Sequence, residues 1–210
     1  VERFAQWRRR FIVDGKGKPR YITAEFHRNW IRSILKARFL GNKQLILSPP
    51  RHGKSELLVD FATWNIVRFP DIRIVWVCAS KDIAENMVGS VRHHLEQNRR
   101  LRKAYLPPGR TWHPEGKSAG SLWSKDAFTV ETRTIIGLKT PTIVAKGKGS
   151  RILSLDADLI VCDDLEDNIE VRQPANRAAT RSWVATAGAS REGQDTGRVV
   201  IGSRQHYEDL

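Results

Sequence analysis

Leu45-Ile46-Leu47-Ser48-Pro49-Pro50-Arg51-His52-Gly53-Lys54-Ser55-Glu56 is the stretch that decides the fold. Three aliphatic residues read as a short buried strand that ends at the two prolines. From residue 55 to residue 68 the apolar positions recur at helical spacing, until Phe69-Pro70 forbids continuation. A strand, a tight loop and a helix in that order are the setting of a phosphate-binding loop. Residues 48–55 match its pattern, with Ser48 in place of the usual first glycine. Backbone N–H groups around Gly53 and the helix start suit phosphate oxygens, and glycine lets the main chain approach closely. Lys54 has the reach for β- and γ-phosphates, and the Ser55 hydroxyl suits Mg²⁺. The candidate nucleotide-binding residues here are therefore Ser48, Pro49, Pro50, Arg51, His52, Gly53, Lys54, Ser55 and Glu56. Arg51 lies inside the loop, where a guanidinium either meets a γ-phosphate or faces solvent.

Downstream, Leu159-Ile160-Val161-Cys162-Asp163-Asp164 runs four apolar residues straight into carboxylates. An apolar strand holds the first carboxylate rigidly, so Asp163 is the candidate metal ligand beside Ser55. The next, Asp164, points onward to where an attacking water would sit, which makes it the candidate catalytic base, with Glu166 as the runner-up. Asp167 and Glu170 read as a solvated acidic turn.

Between and around these motifs the pattern alternates strands with helices. Helical spacing spans residues 24–40 through Phe26, Trp30, Ile31, Ile34, Leu35 and Phe39. Residues 72–79 read as a second buried strand, residues 81–97 as a helix, and residues 107–120 as a loop. Residues 128–145 look like short strands broken by Gly137 and Pro141, followed by a flexible basic turn over residues 146–150. Residues 174–186 suit a helix, and residues 198–201 form a last strand ending at Gly202-Ser203. Such alternation predicts an α/β fold with a mostly parallel central sheet flanked by helices, and ligands at the carboxyl ends of its strands.

Bulk properties narrow the class. The 210 residues are 40% hydrophobic and 28% charged, which is ordinary for a globular chain with a continuous core. No apolar run approaches the roughly 20 residues of a membrane span, and residues 1–10 lack the apolar stretch of a secretory signal. Cys78 and Cys162, the only cysteines, sit in strand-like runs and read as buried reduced thiols. Trp64, Trp76 and Trp183 read as core. Lys+Arg 36 against Asp+Glu 23 gives a net charge of +13, which implies a polyanionic partner. The cations gather in three clusters: Arg8, Arg9, Arg10, Lys16, Lys18 and Arg20; Arg99, Arg100, Arg102 and Lys103; Lys139, Lys146, Lys148 and Arg151. Together they fit a phosphate backbone read without base specificity.

Taken together, the motifs resemble the large terminase subunits of tailed bacteriophages. Residues 48–56, 159–167 and 202–210 carry the resemblance. The last block, Gly202-Ser203-Arg204-Gln205-His206-Tyr207-Glu208-Asp209-Leu210, is similar to that family's Gly-Thr-Arg-Trp-His-Glu-Asp-Asp-Leu segment, with Ser203 at the threonine and Gln205 at the tryptophan. The resemblance implies a three-layer P-loop NTPase fold of the RecA-like, ASCE type, with the last strand between the P-loop strand and the acidic one. It implies a Mg²⁺-dependent ATPase motor that drives double-stranded DNA into a procapsid as a homo-oligomeric ring. A portal protein and a small terminase subunit would be its partners, in the host cytoplasm and at the portal vertex, away from any membrane. Ser203 and Arg204 take the coupling role, and His27 with Trp30 lies near the adenine. An arginine finger would come from Arg151 in a neighbouring subunit or from Arg51 in the same one. The local Arg151-Ile152-Leu153-Ser154 departs from the family's Arg-Gly. One ATPase domain is expected over residues 1–210: a helical, basic lead-in over 1–43 and a P-loop core over 44–210. The family's C-terminal nuclease is expected to be absent, with no nuclease activity in these residues. A helicase or recombination motor, or a nucleic-acid-binding module with an inactive P-loop, are the other readings. The first needs a second RecA-like domain for which there is no room. Intact Lys54, Ser55, Asp163 and Asp164 oppose the second.

Overall fold

The computed structural model describes residues 1–114, 122–135, 137–152, 155–166, 170–187 and 196–203. Its centre is a six-stranded sheet in the order β1-β6-β5-β2-β4-β3. The strands are β1 (Lys43–Leu47), β2 (Ile74–Cys78), β3 (Ala127–Phe128), β4 (Ile143–Gly147), β5 (Leu159–Asp163) and β6 (Gly197–Gly202). All pairings are parallel except the short antiparallel β3·β4. The α/β expectation holds, and β6 lies between β1 and β5.

Side chains alternate across the sheet, as a period of two requires. Ile74, Trp76 and Cys78 of β2, Leu159 and Val161 of β5, and Val199 and Ile201 of β6 face one core. Helices α1 (Glu2–Phe11), α2 (Glu25–Leu40), α3 (Lys54–Arg68) and α4 (Lys81–Gln97) contribute the rest of that layer. Val75, Val77, Ile160, Cys162 and Val200 face a smaller core on the other side, packed against Trp183 and Val184 of α6 (Pro174–Ala187). Burial on both faces explains why β2, and β5 as far as Cys162, are apolar without interruption.

Helix α3 is buried on every side between Leu57 and Val67. Its interior polar residues bond back into the helix: Thr63 Oγ1 donates to the Val59 carbonyl (2.8 Å) and Asn65 Nδ2 to that of Phe61 (2.9 Å). Asp60, fully buried, accepts from Arg8 Nε of α1 at 2.7 Å. Arg8 therefore leaves the first basic cluster: it is a core cation, not a surface one.

Several expectations need correction. The strand at residues 45–47 is not buried, because β1 is an edge strand whose outer face is open among the described residues. Leu45 and Leu47 are 54% and 45% exposed, and only Ile46 enters the core. In α2 the buried positions are Ile31, Ile34 and Ala37, while Phe26 and Phe39 are exposed. Lys146 and Gly147 belong to β4 rather than to a flexible turn, and residues 128–145 hold strand only at their two ends. The basic run at Arg99 is itself a helix, α5 (Arg99–Tyr105), started by Asn98, whose side chain accepts from the N–H groups of Arg100 and Leu101. Both cysteines are buried and neither forms a disulfide, and Trp64 and Trp76 are core residues, as expected. No described helix is long and apolar enough to cross a membrane.

Candidate functional site

Because β1, β2, β4, β5 and β6 run parallel, their carboxyl ends meet at one edge, and the motifs meet there too. Backbone bonds lace that edge: Ser48 N–H donates to the Gly202 carbonyl (3.0 Å), Asp164 N–H to that of Ile201 (2.9 Å) and Ala79 N–H to that of Asp164 (3.3 Å).

The loop after β1 turns through two left-handed residues, Arg51 (φ 61°) and Gly53 (φ 74°). Only the second is a glycine, so Arg51 carries the strain of a side chain in that region. No side chain caps α3. The N–H groups of its first turn therefore have no partner within the helix and are open to an anion.

The loop carbonyls, by contrast, are held by imidazoles. His52 Nδ1 donates to its own loop at the Pro50 carbonyl (2.8 Å). His27, on α2, reaches the His52 carbonyl with Nε2 (2.9 Å), while the Ala24 N–H donates to its Nδ1 (3.1 Å). Nδ1 must then be unprotonated and Nε2 must carry the proton, which fixes a neutral tautomer. Burial holds His27 below the ordinary value of 6.5. Its bond to the His52 carbonyl pulls the other way, and the charges of Arg8 and His52 disfavour protonation. His27 thus grips the 48–55 loop itself, with Phe26 and Trp30 ringed around it.

The grip has a testable sign. A histidine whose folded value is lowered contributes stability above its ordinary value, and that stability is lost as pH falls through the folded value. The advantage of wild type over His27→Ala in melting temperature and nucleotide affinity should therefore shrink on acidification from pH 7.5 towards 5, since the buried carboxyls of Asp60 and Asp163 titrate in both proteins. His27→Ala should already be weakened at pH 7.5, by up to about tenfold in nucleotide affinity for one missing hydrogen bond. Its remaining pH dependence should be shallower. An alanine variant with the full wild-type pH profile would rule the clamp out.

Opposite the loop, Lys54 is 6% exposed, and its ammonium donates to Ser203 Oγ at 2.7 Å. The same ammonium lies 3.8 Å from Asp164 Oδ2, and Asp164 Oδ1 accepts from the Ser203 N–H at 3.0 Å. Asp164 is itself left-handed (φ 44°), which swings its carboxylate out of the strand line. Three segments far apart in sequence, at residues 54, 164 and 203, therefore close one polar triangle. Glu166 joins Asp164 and Ser203 in lining a shallow depression beside Leu45 and Leu47.

Asp163 is 3% exposed, and burial pushes its carboxyl up to about 7; the Ser55 hydroxyl pulls it back, Asp164 adds to the rise and Lys54 opposes it. Its Oδ1 is buried with no hydrogen-bond partner. A buried carboxylate oxygen of this kind beside a hydroxyl fits a hard divalent cation. Among the described residues no group of three or more His, Cys, Asp or Glu stands ready to hold a metal alone. A cation at Asp163 and Ser55 would take its other ligands from phosphate and water, as Mg²⁺ does.

Arg51 is exposed at the loop tip, and Arg151 is exposed beyond β4; neither is brought to the Lys54 triangle by any bond. Glu56 accepts from the Tyr21 hydroxyl (2.9 Å) and so braces the first turn of α3. Arg204, the rest of the block to Leu210, and Asp167 lie outside the described residues. Sequence reasoning missed the loop-gripping role of His27. Its signal, a lone histidine at the start of a helix, is common and means nothing until the loop is beside it.

The crystal structure of the HK97 bacteriophage large terminase is similar to this one over 97% of the present chain, with a TM-score of 0.55 at 13% identity. The chain has the fold of part of a phage large terminase. It spans 37% of that terminase's length. No sequence-family profile matches the chain, and no curated protein matches it either. At this identity the fold is what the two proteins demonstrably share. The sheet places β1, β6 and β5 side by side, with the loop after β1 and the acidic end of β5 on either side of Ser203.

Proposed function

We propose that this chain is the ATP-hydrolysing motor domain of a terminase-type DNA-packaging enzyme, a P-loop NTPase of the RecA-like, ASCE type. The observation that carries the reading is the triangle of Lys54, Asp164 and Ser203 beneath an uncapped helix start. In this reading the N–H groups of residues 53–56 and the Lys54 ammonium bind the β- and γ-phosphates. Ser55 and Asp163 hold Mg²⁺, which neutralises charge that develops on the phosphates.

Asp164 is the base. It already accepts hydrogen bonds and sits within reach of the lysine that marks the γ-phosphate, so it orients the attacking water and takes up its proton. Glu166 flanks it. Ser203 touches both Lys54 and Asp164, so any shift of the lysine towards phosphate breaks or remakes a bond to β6. That is a direct route for passing hydrolysis to the rest of a motor, with Arg204 next in the chain. The translocated polymer is double-stranded DNA, suited to the +13 charge. The ring, portal protein and small subunit belong to the same proposal, as does an arginine from Arg51 or Arg151.

Asp164→Asn tests the assignment. ATP·Mg²⁺ affinity should stay within about threefold, because the ligand groups remain, while hydrolysis should fall by about 10²–10³ as for loss of a positioned catalytic group. Equilibrium binding and single-turnover hydrolysis separate the two. Wild-type turnover in Asp164→Asn would move the role of base to Glu166.

A further inference from the structure

Arg20 of the first basic cluster and the second cluster at residues 99–103, some 80 residues apart in sequence, line one surface in the fold. The chain leaves α1 through a turn over residues 14–20, closed by the Val13–Pro19 bridge. The end of α1, just before that turn, is stapled to the start of α5: Asn98 Nδ2 donates to the Phe11 carbonyl (2.8 Å) and Arg100 Nη1 to that of Arg10 (3.2 Å). Between them lies a concavity of about 430 Å³ lined by Asp14, Arg20, His93, Arg99 and Arg100, among others. A second, of about 510 Å³, shares Arg99 and continues along α5 past Arg102 and Lys103 to Arg110.

The charge balance of this surface is lopsided. Among the described residues, Asp14 is the only carboxylate lining either concavity. Its Oδ1 is already taken by the N–H groups of Lys16 and Lys18, both at 2.9 Å. Arg110 is paired with Glu131 (3.0 Å), but Arg20, Arg99, Arg100, Arg102 and Lys103 are exposed around the two hollows. Holding like charges together by specific bonds costs free energy unless an anion offsets it. The hollows run on from one another, so the anion that fits is extended rather than a single phosphate. Their ring content argues further. Among the described residues, Phe11 is the only Phe, Tyr or Trp lining them, and it is buried. Single strands are held by stacking on exposed rings. A surface of cations without such rings reads a backbone.

We propose that this surface, formed by the 14–20 turn, the end of α4 and α5, docks the phosphodiester backbone of duplex DNA. It shares no residue with the nucleotide site. It rests on the nucleic-acid half of the proposed function and not on the nucleotide half.

The test is an anisotropy titration of a labelled 30-base-pair duplex with the 210-residue chain, without nucleotide, across a salt series. Wild type is compared with Arg99→Ala/Arg102→Ala/Lys103→Ala. A charge-matched control, Arg32→Ala/Lys36→Ala/Lys43→Ala, removes three exposed cations outside the basic clusters, and melting curves establish that each variant is folded. The α5 triple should weaken binding at least tenfold at 0.1 M salt. It should also flatten the slope of log affinity against log salt by about 0.9 for each phosphate no longer neutralised. The control should change little, and single strands of equal charge should bind more weakly than duplex. Equal losses in both triples, or competition by polyglutamate as effective as by DNA, would reduce the effect to net charge and overturn the proposal. An unaffected α5 triple in a chain that still binds duplex overturns this surface alone. A wild-type chain that binds no duplex overturns the nucleic-acid half of the function with it.

Discussion

Lys54→Ala should all but abolish ATP·Mg²⁺ binding and, at saturating nucleotide, lower hydrolysis by about 10²–10³. The ammonium it removes is nearly buried and is the cation bonded into the triangle with Asp164 and Ser203. Charge-assisted hydrogen bonds contribute about 1.5–3 kcal/mol each, so losing those to phosphate alone predicts roughly a 10- to 100-fold weaker complex. The true loss should lie at or beyond the upper end. Without the lysine, only the Mg²⁺ proposed at Ser55 and Asp163 would oppose the summed charge of Asp163, Asp164 and the phosphates. Asp163, already pushed up to about 7, loses a group that holds its proton affinity down. Titration with a fluorescent ATP analogue in excess Mg²⁺ gives the answer, with a melting curve to show that the variant is folded. Affinity within threefold of wild type would remove the nucleotide from this site altogether.

The second large effect concerns the buried pair beneath the site. Arg8→Met should destabilise the chain by about 3–5 kcal/mol, since it strands a carboxylate in the core. Asp60 is fully buried on α3, nearly two turns from Lys54, and Arg8 is its hydrogen-bonded counter-charge, itself bonded to Thr23 (3.4 Å) and set over the Tyr21 ring. His94 Nε2 is 3.9 Å from the other Asp60 oxygen, but burial lowers its proton affinity and it brings no dependable charge. Burial pushes Asp60 up to about 6 even with Arg8 present.

The sign of the pH effect follows. A carboxyl with a raised folded value favours the folded state at low pH and loses that contribution as pH rises through about 6. The deficit of Arg8→Met should therefore be largest above pH 7 and shrink towards pH 5, where Asp60 can go neutral. Arg8→Met/Asp60→Leu should recover most of the loss, because an apolar pair needs no counter-charge. Denaturant melts at the two pH values compare both variants with wild type. A loss under about 1 kcal/mol in Arg8→Met, or no recovery in the double variant, would show the pair to be dispensable.

Much of this is legible in the chain itself. The apolar runs of β2, β5 and β6 give away their positions because strands covered on both faces carry no polar alternation to blur them. The octet at 48–55 and the pair at 163–164 stand out as candidates because phosphate and metal chemistry, where present, restricts residue type at fixed spacing. Local signals fail where burial depends on distant neighbours. Leu45 and Leu47 have the composition of a core strand, yet they lie at the sheet edge, a fact set by strand order and not by their own segment. Arg8 has the look of one surface cation in a basic run, and only Asp60, 52 residues on, draws it inward.

The sequence by itself determined the α/β alternation, the loop that joins β1 to α3 and the carboxylates that end β5, since each is fixed by residue type and short-range spacing. Only the tertiary structure decided that Lys54, Asp164 and Ser203 close one triangle of two hydrogen bonds and an ion pair, that His27 fastens the loop, and that Arg20 and the 99–103 run share a face. Those facts depend on a parallel sheet bringing its strand ends together and on helices crossing at particular places. Such distances are set by packing of the whole core, and no stretch of chain records them locally.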